Sequence, residues 1–172
     1  ELADELDNPV RGWMGHDDTF SFDPRWRPAR GTDRFLTGTP PVLSTALIEP
    51  GVDLILEAGM DALRAASLDL TARLLAAFDA ELGPRGFSLG SPRNGHRGSH
   101  VTLVHPEGLA IDLALIEEEQ LIPDFRPPDS IRLGITPLYL DGDDVDEAVR
   151  RIVRVVDSGA FERHRNRSVG VT

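Results

Sequence analysis

Cysteine and lysine are both absent from this 172-residue sequence. Without cysteine the chain forms no disulfide, binds no metal through thiolates and has no cysteine nucleophile. Because all 18 basic residues are arginine, no side chain of this sequence can form a Schiff base with a carbonyl compound. The sequence also lacks an initial methionine, a signal-peptide pattern and a long apolar run. We therefore expect a cytosolic fragment or processed product without a transmembrane helix.

Acidic residues outnumber basic ones, and the formal net charge is −11. This charge argues against a nucleic-acid or an anionic-membrane partner. Any anion site must therefore be built from a few local donors. The five histidines show no metal-ligand spacing, so no metal site is expected. The length and the apolar fraction of 40% are typical of one soluble domain with a hydrophobic core.

Candidate anion donors lie in segment 11–39, which is rich in glycine and in turn-forming residues. Trp13 and Thr39 each stand beside a glycine, and their indole N–H and hydroxyl groups donate hydrogen bonds. Two prolines follow Thr39 and precede an apolar helical pattern, which predicts that Thr39 lies at or near a helix N-cap, where the dipole favours a phosphate. A buried tryptophan beside tight turns, with a threonine cap, is the other interpretation. Two roles stay open for His16, a contact to a phosphate and a structural hydrogen bond.

Hydrophobic periodicity predicts helices over 41–58 (interrupted near Pro50-Gly51), 60–82, 108–119 and 143–157. It predicts short strands over 87–89, 99–104, 121–125 and 130–135. Leu109, Leu113 and Ile116 form the predicted core stripe of the third helix. The basic tail from His164 is expected to be loose. The order of these elements indicates an α+β fold with a small, mostly antiparallel sheet covered by helices.

Arg132 is a candidate carboxylate-binding residue. It stands in the middle of a predicted strand between Ile131 and Leu133, so its side chain points to the opposite face of the sheet from theirs. A guanidinium in that position can bind a carboxylate through two parallel hydrogen bonds. An arginine on the solvated face of a sheet is the alternative, and the residues themselves leave both open.

Several motifs occur in one order over nearly the whole sequence. They are Gly12-Trp13-Met14-Gly15-His16, Phe20-x-Phe22, Gly38-Thr39-x-Pro41, Met60-Asp61-Ala62-Leu63-Arg64, Arg97-Gly98-Ser99-x-Val101, His105-Pro106-Glu107-Gly108 and Ile131-Arg132-Leu133-Gly134-x-Thr136-Pro137-Leu138-Tyr139. In this combination the sequence resembles the kynureninases, fold-type-I enzymes of the aminotransferase class V branch. The kynureninases usually have phenylalanine at the position of Met14.

The resemblance implies pyridoxal 5'-phosphate as cofactor. It implies hydrolysis of L-kynurenine (or 3-hydroxykynurenine) to anthranilate (or 3-hydroxyanthranilate) and L-alanine, a step of tryptophan catabolism. The residue matching Trp13 would donate its indole N–H to the cofactor phosphate. The residue matching Thr39 would contact the same phosphate, usually across a dimer interface, and the residue matching Arg132 would pair with the substrate α-carboxylate. The resemblance also implies a cytoplasmic, homodimeric parent enzyme.

The resemblance covers only the C-terminal portion of such an enzyme. In the kynureninases the large domain, with the Schiff-base lysine, comes earlier in the chain, so no catalytic residue is assigned here and we expect this chain to be inactive alone. Residues 1–41 are interpreted as the cofactor-phosphate segment that links from the large domain, and residues 42–172 as the C-terminal α+β small domain. The alternatives are a non-catalytic binding or dimerisation module of the same fold, and a related class V enzyme such as a cysteine desulfurase.

Overall fold

The computed structural model describes residues 2–167, and the chain divides into two compact units. The first unit ends at Leu54 and the second begins at Ile55. The predicted division into 1–41 and 42–172 concerns the domains of a larger parent enzyme and stays a prediction. Among residues 2–167, no helix has both the length and the apolar character that crossing a membrane requires.

Turns and short helices make up the first unit. It contains α1 (Leu2–Glu5), 3₁₀ turns at Trp13–Gly15 and Gly31–Phe35, α2 (Val42–Ala46) and the start of α3 (Glu49–Ala58). The predicted helix over 41–58 is present, but it breaks at Leu47 and Ile48, slightly before the expected position. Pro50 accounts for the difference, because proline fits the first turn of a new helix, where its missing N–H is not needed.

The second unit is built on a four-stranded antiparallel sheet. Its helices are α4 (Met60–Ala77), which continues into a π-helical turn at Phe78–Leu82 and a 3₁₀ turn at Gly83–Arg85, α5 (Gly108–Glu119) and α6 (Gly142–Asp157), followed by a 3₁₀ turn at Ala160–His164. The strands β1 (Ser88–Leu89), β2 (His100–Val104), β3 (Asp124–Arg126) and β4 (Ser130–Gly134) lie in the order β1-β2-β4-β3. Every neighbouring pair is antiparallel. The predicted α+β fold is confirmed.

The register of β4 decides which side chains enter the core of the second unit. Ile131 is paired with Leu103, and Leu133 with Val101; all four are buried. The helices contribute Leu70, Leu74, Leu75, Ile111, Ala114, Leu115, Val145, Val149, Ile152 and Val155 to the same core. Because side chains alternate along a strand, Arg132 lies on the opposite face of the sheet from this core, as predicted.

The predicted core stripe of α5 is wrong in part. Ile111 and Leu115 are fully buried, whereas Ile116 is exposed. The reason is that α5 carries apolar side chains around most of its circumference between Leu109 and Ile116. Periodicity alone therefore cannot identify the face that packs on the sheet.

The tail from His164 is not loose as far as the structure describes it, so this prediction is wrong. His164 is buried, and its Nε2 lies 3.2 Å from Oε1 of Glu118. Arg167 is paired with Glu117. These two carboxylates belong to the acidic end of α5. The predicted tail continues into residues 168–172, which lie outside the described residues.

Candidate functional site

The turn at Trp13 lies beside the segment from Thr37 to Thr39 in the first unit. A Cβ added to Gly12 would lie 1.8 Å from the carbonyl oxygen of Thr37, so only glycine permits this close approach of the two backbones. A Cβ added to Gly38 would lie 3.8 Å from the indole nitrogen of Trp13. The indole N–H therefore lies next to the residue that precedes Thr39.

Both predicted phosphate donors are accessible. Trp13 is 48% exposed, Thr39 is exposed, and the Trp13 ring packs edge-on against Phe20 with the ring centroids 6.0 Å apart. Within residues 2–167 the Trp13 indole nitrogen takes part in no hydrogen bond. A cavity of about 370 Å³ in the first unit is lined in part by Trp13 and Trp26. The interpretation of Trp13 as a buried core residue is therefore wrong.

Thr39 lies near a helix start but is not its N-cap. The N-cap of α2 is Pro41, two residues further along the chain, and no side chain caps this helix. Because α2 has only five residues, its dipole adds little to an anion site. The predicted phosphate contact of Thr39 must therefore depend on the hydroxyl and on nearby backbone.

His16 stabilises the turn-rich segment from within. It is 8% exposed; its Nε2 lies 3.1 Å from the carbonyl oxygen of Arg25, and the backbone N–H of Asp18 lies 3.0 Å from its Nδ1. The ring also packs edge-on against Trp26, with ring centroids 5.8 Å apart. Since both ring nitrogens have contacts inside the segment, the geometry favours the structural hydrogen bond over a phosphate contact.

Two arginines in the same segment are neutralised by its own carboxylates. Arg27 donates from Nε to Asp17 at 3.1 Å and from Nη1 to Asp23 at 2.6 Å. Arg25 also donates to Asp23, and this hydrogen bond is the first of those that lower the pKa of Asp23 to about 2. These guanidinium groups are therefore occupied within the loop, whereas the indole N–H of Trp13 has no hydrogen-bond partner among residues 2–167 and stays available to an anion.

Arg132, the third predicted site residue, is in the second unit and stands directly opposite Asp124 of β3. Its Nε donates to Oδ2 of Asp124 at 2.9 Å, and its Nη2 donates to the same oxygen. Arg126 donates to this oxygen as well, at 3.1 Å. The hydrogen bond from Arg132 is the main cause that lowers the pKa of Asp124. The side chain of Arg132 is 34% exposed, so solvent reaches the guanidinium although it is paired with Asp124.

Two carboxylates of the second unit escaped the sequence analysis. Asp124 is recognisable once β3 and β4 are aligned as an antiparallel pair, because it then faces Arg132. Asp112 gives no such signal, since it stands within the apolar run of α5. It is 4% exposed, and its Oδ1 is a buried atom with no hydrogen-bond partner among the described residues. Burial, with the charge of Asp124 as a second cause, raises the pKa of Asp112 to about 6.

Residues 63–152 match the sequence profile of the kynureninase C-terminal domain, which is slightly more than half of the chain. The chain belongs to the kynureninase family. It is 37% identical to the kynureninase of Pseudomonas fluorescens over 158 residues, which are 91% of this chain and 38% of that protein. It is 36% identical to the kynureninases of Burkholderia mallei (strain SAVP1) and Burkholderia pseudomallei (strain K96243) over 157 residues, with the same coverage of 91% and 38%.

The chain therefore spans less than two fifths of the length of the curated kynureninases that it matches. The kynureninase profile includes Arg132, Asp124 and Asp112, while Trp13 and Thr39 precede its first matched residue. The resemblance noted in the motifs is confirmed at the level of the family. The roles of Trp13, Thr39 and Arg132 are not tested by these comparisons and remain predictions.

Proposed function

We propose that this chain supplies the C-terminal part of a pyridoxal 5'-phosphate-dependent kynureninase. The parent enzyme would hydrolyse L-kynurenine, or 3-hydroxykynurenine, to anthranilate, or 3-hydroxyanthranilate, and L-alanine. The observation that carries the proposal is the match to the kynureninase C-terminal domain, extended by relatives with 37% and 36% identity over 91% of the chain. A cytoplasmic homodimer is the expected form of the parent enzyme.

The first unit fits the phosphate of the cofactor. Trp13 offers an accessible indole N–H that has no other partner in the described residues, and it lies beside Gly38. The Thr39 hydroxyl follows directly and is exposed. In a chain with a net charge of −11, such neutral donors hold an anion without a cluster of basic residues. Trp13 and Thr39 would bind the phosphate; the bound cofactor supplies an electron sink for cleavage of the carbon–carbon bond.

Arg132 fits the substrate α-carboxylate. Its guanidinium is partly exposed and lies on the sheet face opposite the core. A fork of N–H donors matches a carboxylate in shape and charge, which favours recognition of an amino-acid substrate. This role of Arg132 is to bind and orient the substrate and involves no transfer of a proton.

Cofactor binding by the purified chain tests the proposal. Pyridoxal 5'-phosphate is added, the absorbance spectrum is recorded, and the sample is then reduced with borohydride. We expect saturable binding without a covalent adduct on any side chain, because the chain has no lysine. Trp13→Phe and Thr39→Ala should abolish binding, whereas Thr32→Ala, which changes another exposed threonine of the first unit, should retain it. Binding that is insensitive to Trp13→Phe and Thr39→Ala would contradict the proposed phosphate contacts.

A non-catalytic binding or dimerisation module is the second candidate. It is favoured by the lack of lysine throughout the 172 residues and by the exposed apolar side chains of α2 and α3. A chain that binds no pyridoxal 5'-phosphate but forms a defined dimer in sedimentation experiments would support this candidate over the first.

A further inference from the structure

Asp124 connects two arginines on the sheet face that carries Arg132. Its Oδ2 accepts hydrogen bonds from Arg132 Nε at 2.9 Å, from Arg132 Nη2, and from Arg126 Nε at 3.1 Å. Asp124 and Arg132 occupy the same register position of β3 and β4, so strand pairing itself brings them together. Two positive charges thus meet one negative charge, and the three groups together retain one positive charge.

The two hydrogen bonds from Arg132 to Asp124 occupy one particular edge of the Arg132 guanidinium. A guanidinium is a planar fork with five N–H donors, and a carboxylate binds either along the Nε edge or at the end formed by the two Nη atoms. Asp124 takes the Nε edge. Within residues 2–167, Nη1 of Arg132 has no hydrogen-bond partner. The end formed by the two Nη atoms is therefore the part that remains for a ligand.

The pairing also restricts the motion of the arginine before any ligand arrives. An arginine side chain on a sheet face has several rotatable bonds and samples many rotamers when it has no partner. The register of β3 and β4 fixes the position of Asp124, and Arg126 provides this carboxylate with a second anchor. A guanidinium that is already held in one orientation loses less conformational entropy when it binds a ligand.

We propose that Asp124 is a positioning residue for Arg132: it binds the Nε edge of the guanidinium and thereby directs the free Nη end towards the α-carboxylate of the substrate. This inference rests on the carboxylate-binding role proposed above for Arg132. Asp124 itself does not touch the substrate. Its effect on substrate binding passes entirely through the orientation of Arg132.

Positioning and simple charge repulsion predict opposite effects of removing this carboxylate. A negative charge beside an anion site repels the ligand, so its removal alone strengthens binding of a carboxylate. If Asp124 orients Arg132, its removal weakens binding of a carboxylate, because the free Nη end is no longer held in place. The direction of the change in affinity therefore separates the two roles.

The test uses the 172-residue chain with two probes: L-kynurenine, and kynuramine, which lacks the carboxylate. Nitrogen-15 NMR follows the Nε–H signal of Arg132, assigned by its disappearance in Arg132→Lys. Two quantities are measured, the exchange rate of this N–H with water, which reports the pairing without ligand, and the dissociation constant of each probe. Asp79→Ala serves as the matched control, since Asp79 forms a comparable exposed ion pair with Arg93.

We expect Asp124→Ala to accelerate Nε–H exchange and to weaken L-kynurenine binding about tenfold, with Asp124→Asn intermediate. Asp124→Ala should not change the dissociation constant of kynuramine, and Asp79→Ala should change neither the exchange rate nor the dissociation constants. Tighter or unchanged L-kynurenine binding by Asp124→Ala, together with weaker binding by Arg132→Lys, would overturn the positioning role and leave the proposed function intact. If the unsubstituted 172-residue chain binds no L-kynurenine, or if Arg132→Lys binds it equally well, the proposed role of Arg132 fails and the inference fails with it.

Discussion

Asp112 is a carboxylate that the fold buries without a complete set of hydrogen bonds. Its Oδ1 has no partner among the described residues, and burial raises its pKa from 3.8 to about 6. The folded chain therefore binds this proton more tightly than the unfolded chain. The contribution of Asp112 to the free energy of unfolding is therefore greatest below pH 3.8. It falls as the pH rises from 3.8 to about 6, because the buried carboxylate then ionises. Above this window the folded chain carries the full cost of the buried charge.

We therefore expect Asp112→Asn to stabilise the chain at high pH more than at low pH. Because the pKa of Asp112 rises from 3.8 to about 6, the ionised carboxylate costs roughly 3 kcal/mol in the folded chain. The buried amide of asparagine retains part of the desolvation cost, so a gain of about 1–3 kcal/mol is expected at about pH 8. Urea unfolding of both proteins at about pH 4 and pH 8 measures the difference. An equal effect of the substitution at the two pH values would show that Asp112 does not titrate in this window.

Gly12 permits the contact on which the proposed phosphate site depends. We expect Gly12→Ala to destabilise the first unit by about 1–3 kcal/mol or more, because its Cβ would overlap the carbonyl oxygen of Thr37. Gly51→Ala is the matched control: nothing lies within 4 Å of its added Cβ, and alanine in a helix gains about 0.5–1 kcal/mol over glycine. Tryptophan fluorescence during thermal unfolding measures both. If Gly12→Ala unfolds at the same temperature as the unsubstituted chain, the close approach of the Gly12 and Thr37 backbones is not required for the stability of the first unit.

Single residues were predictable from the sequence where their local chemistry limits the choices. The alternation around Arg132 indicated its face of the sheet, and this expectation agrees with the structure. The partner of Arg132 was not predicted, because Asp124 is brought opposite to it only by the pairing of two strands. Burial of Asp112 also depends on tertiary packing that one sequence does not reveal.

At the scale of elements, the type and order of the long helices and of the strands of the second unit were predictable from the sequence. Which side of each helix faces the core, and how the described chain ends, were less predictable. α6 buries Val145, Val149, Ile152 and Val155 on one side. α5 is apolar on most sides, and the position of the sheet, which is a non-local feature, selects Ile111 and Leu115. The tail from His164 was misjudged for a similar reason, because its partners Glu117 and Glu118 are far away in the sequence.

The N-terminus of α6 is closed by a reciprocal pair of aspartates. Asp141 accepts from the backbone N–H of Asp143 at 2.8 Å and of Asp144 at 3.2 Å, while Asp144 accepts from the N–H of Asp141 at 2.9 Å. We expect Asp141→Ala to lower the free energy of unfolding by about 1–2 kcal/mol, since helix N–H groups lose their acceptor. Asp143→Ala, which removes only a charge near the dipole, should cost less than about 1 kcal/mol. Urea titrations compare the two variants, and equal losses would mean that the capping bonds add nothing beyond charge.

At the scale of the whole molecule, the first unit exposes large apolar side chains on α2, on the first part of α3 and in the turn between these helices. They are Val42, Leu43, Leu47, Ile48, Val52 and Leu54. Neither α2 nor α3 contains a buried residue. Contiguous exposed apolar surface of this kind is typical of interaction sites.

We expect the isolated chain to self-associate and to bind apolar dyes through the segment from Val42 to Leu54. Association should increase with salt, because the net charge of −11 opposes it at low ionic strength. Leu43→Ser/Leu47→Ser should reduce both effects, whereas Leu2→Ser/Leu6→Ser, a matched pair of exposed leucines near the N-terminus, should change them less. Sedimentation velocity and dye fluorescence provide the measurements. A chain that stays monomeric and binds no dye would contradict this expectation.

The strand order described above also bears on amyloid formation. The two outer strands of the sheet, β1 and β3, are only two and three residues long. Short outer strands expose few unpaired backbone groups, and Asp124 and Arg126 add charges to one of them, so another chain finds little template for cross-β stacking. Oligomers held together by the exposed apolar side chains between Val42 and Leu54 should therefore keep their helices and dissociate on dilution rather than convert to fibrils.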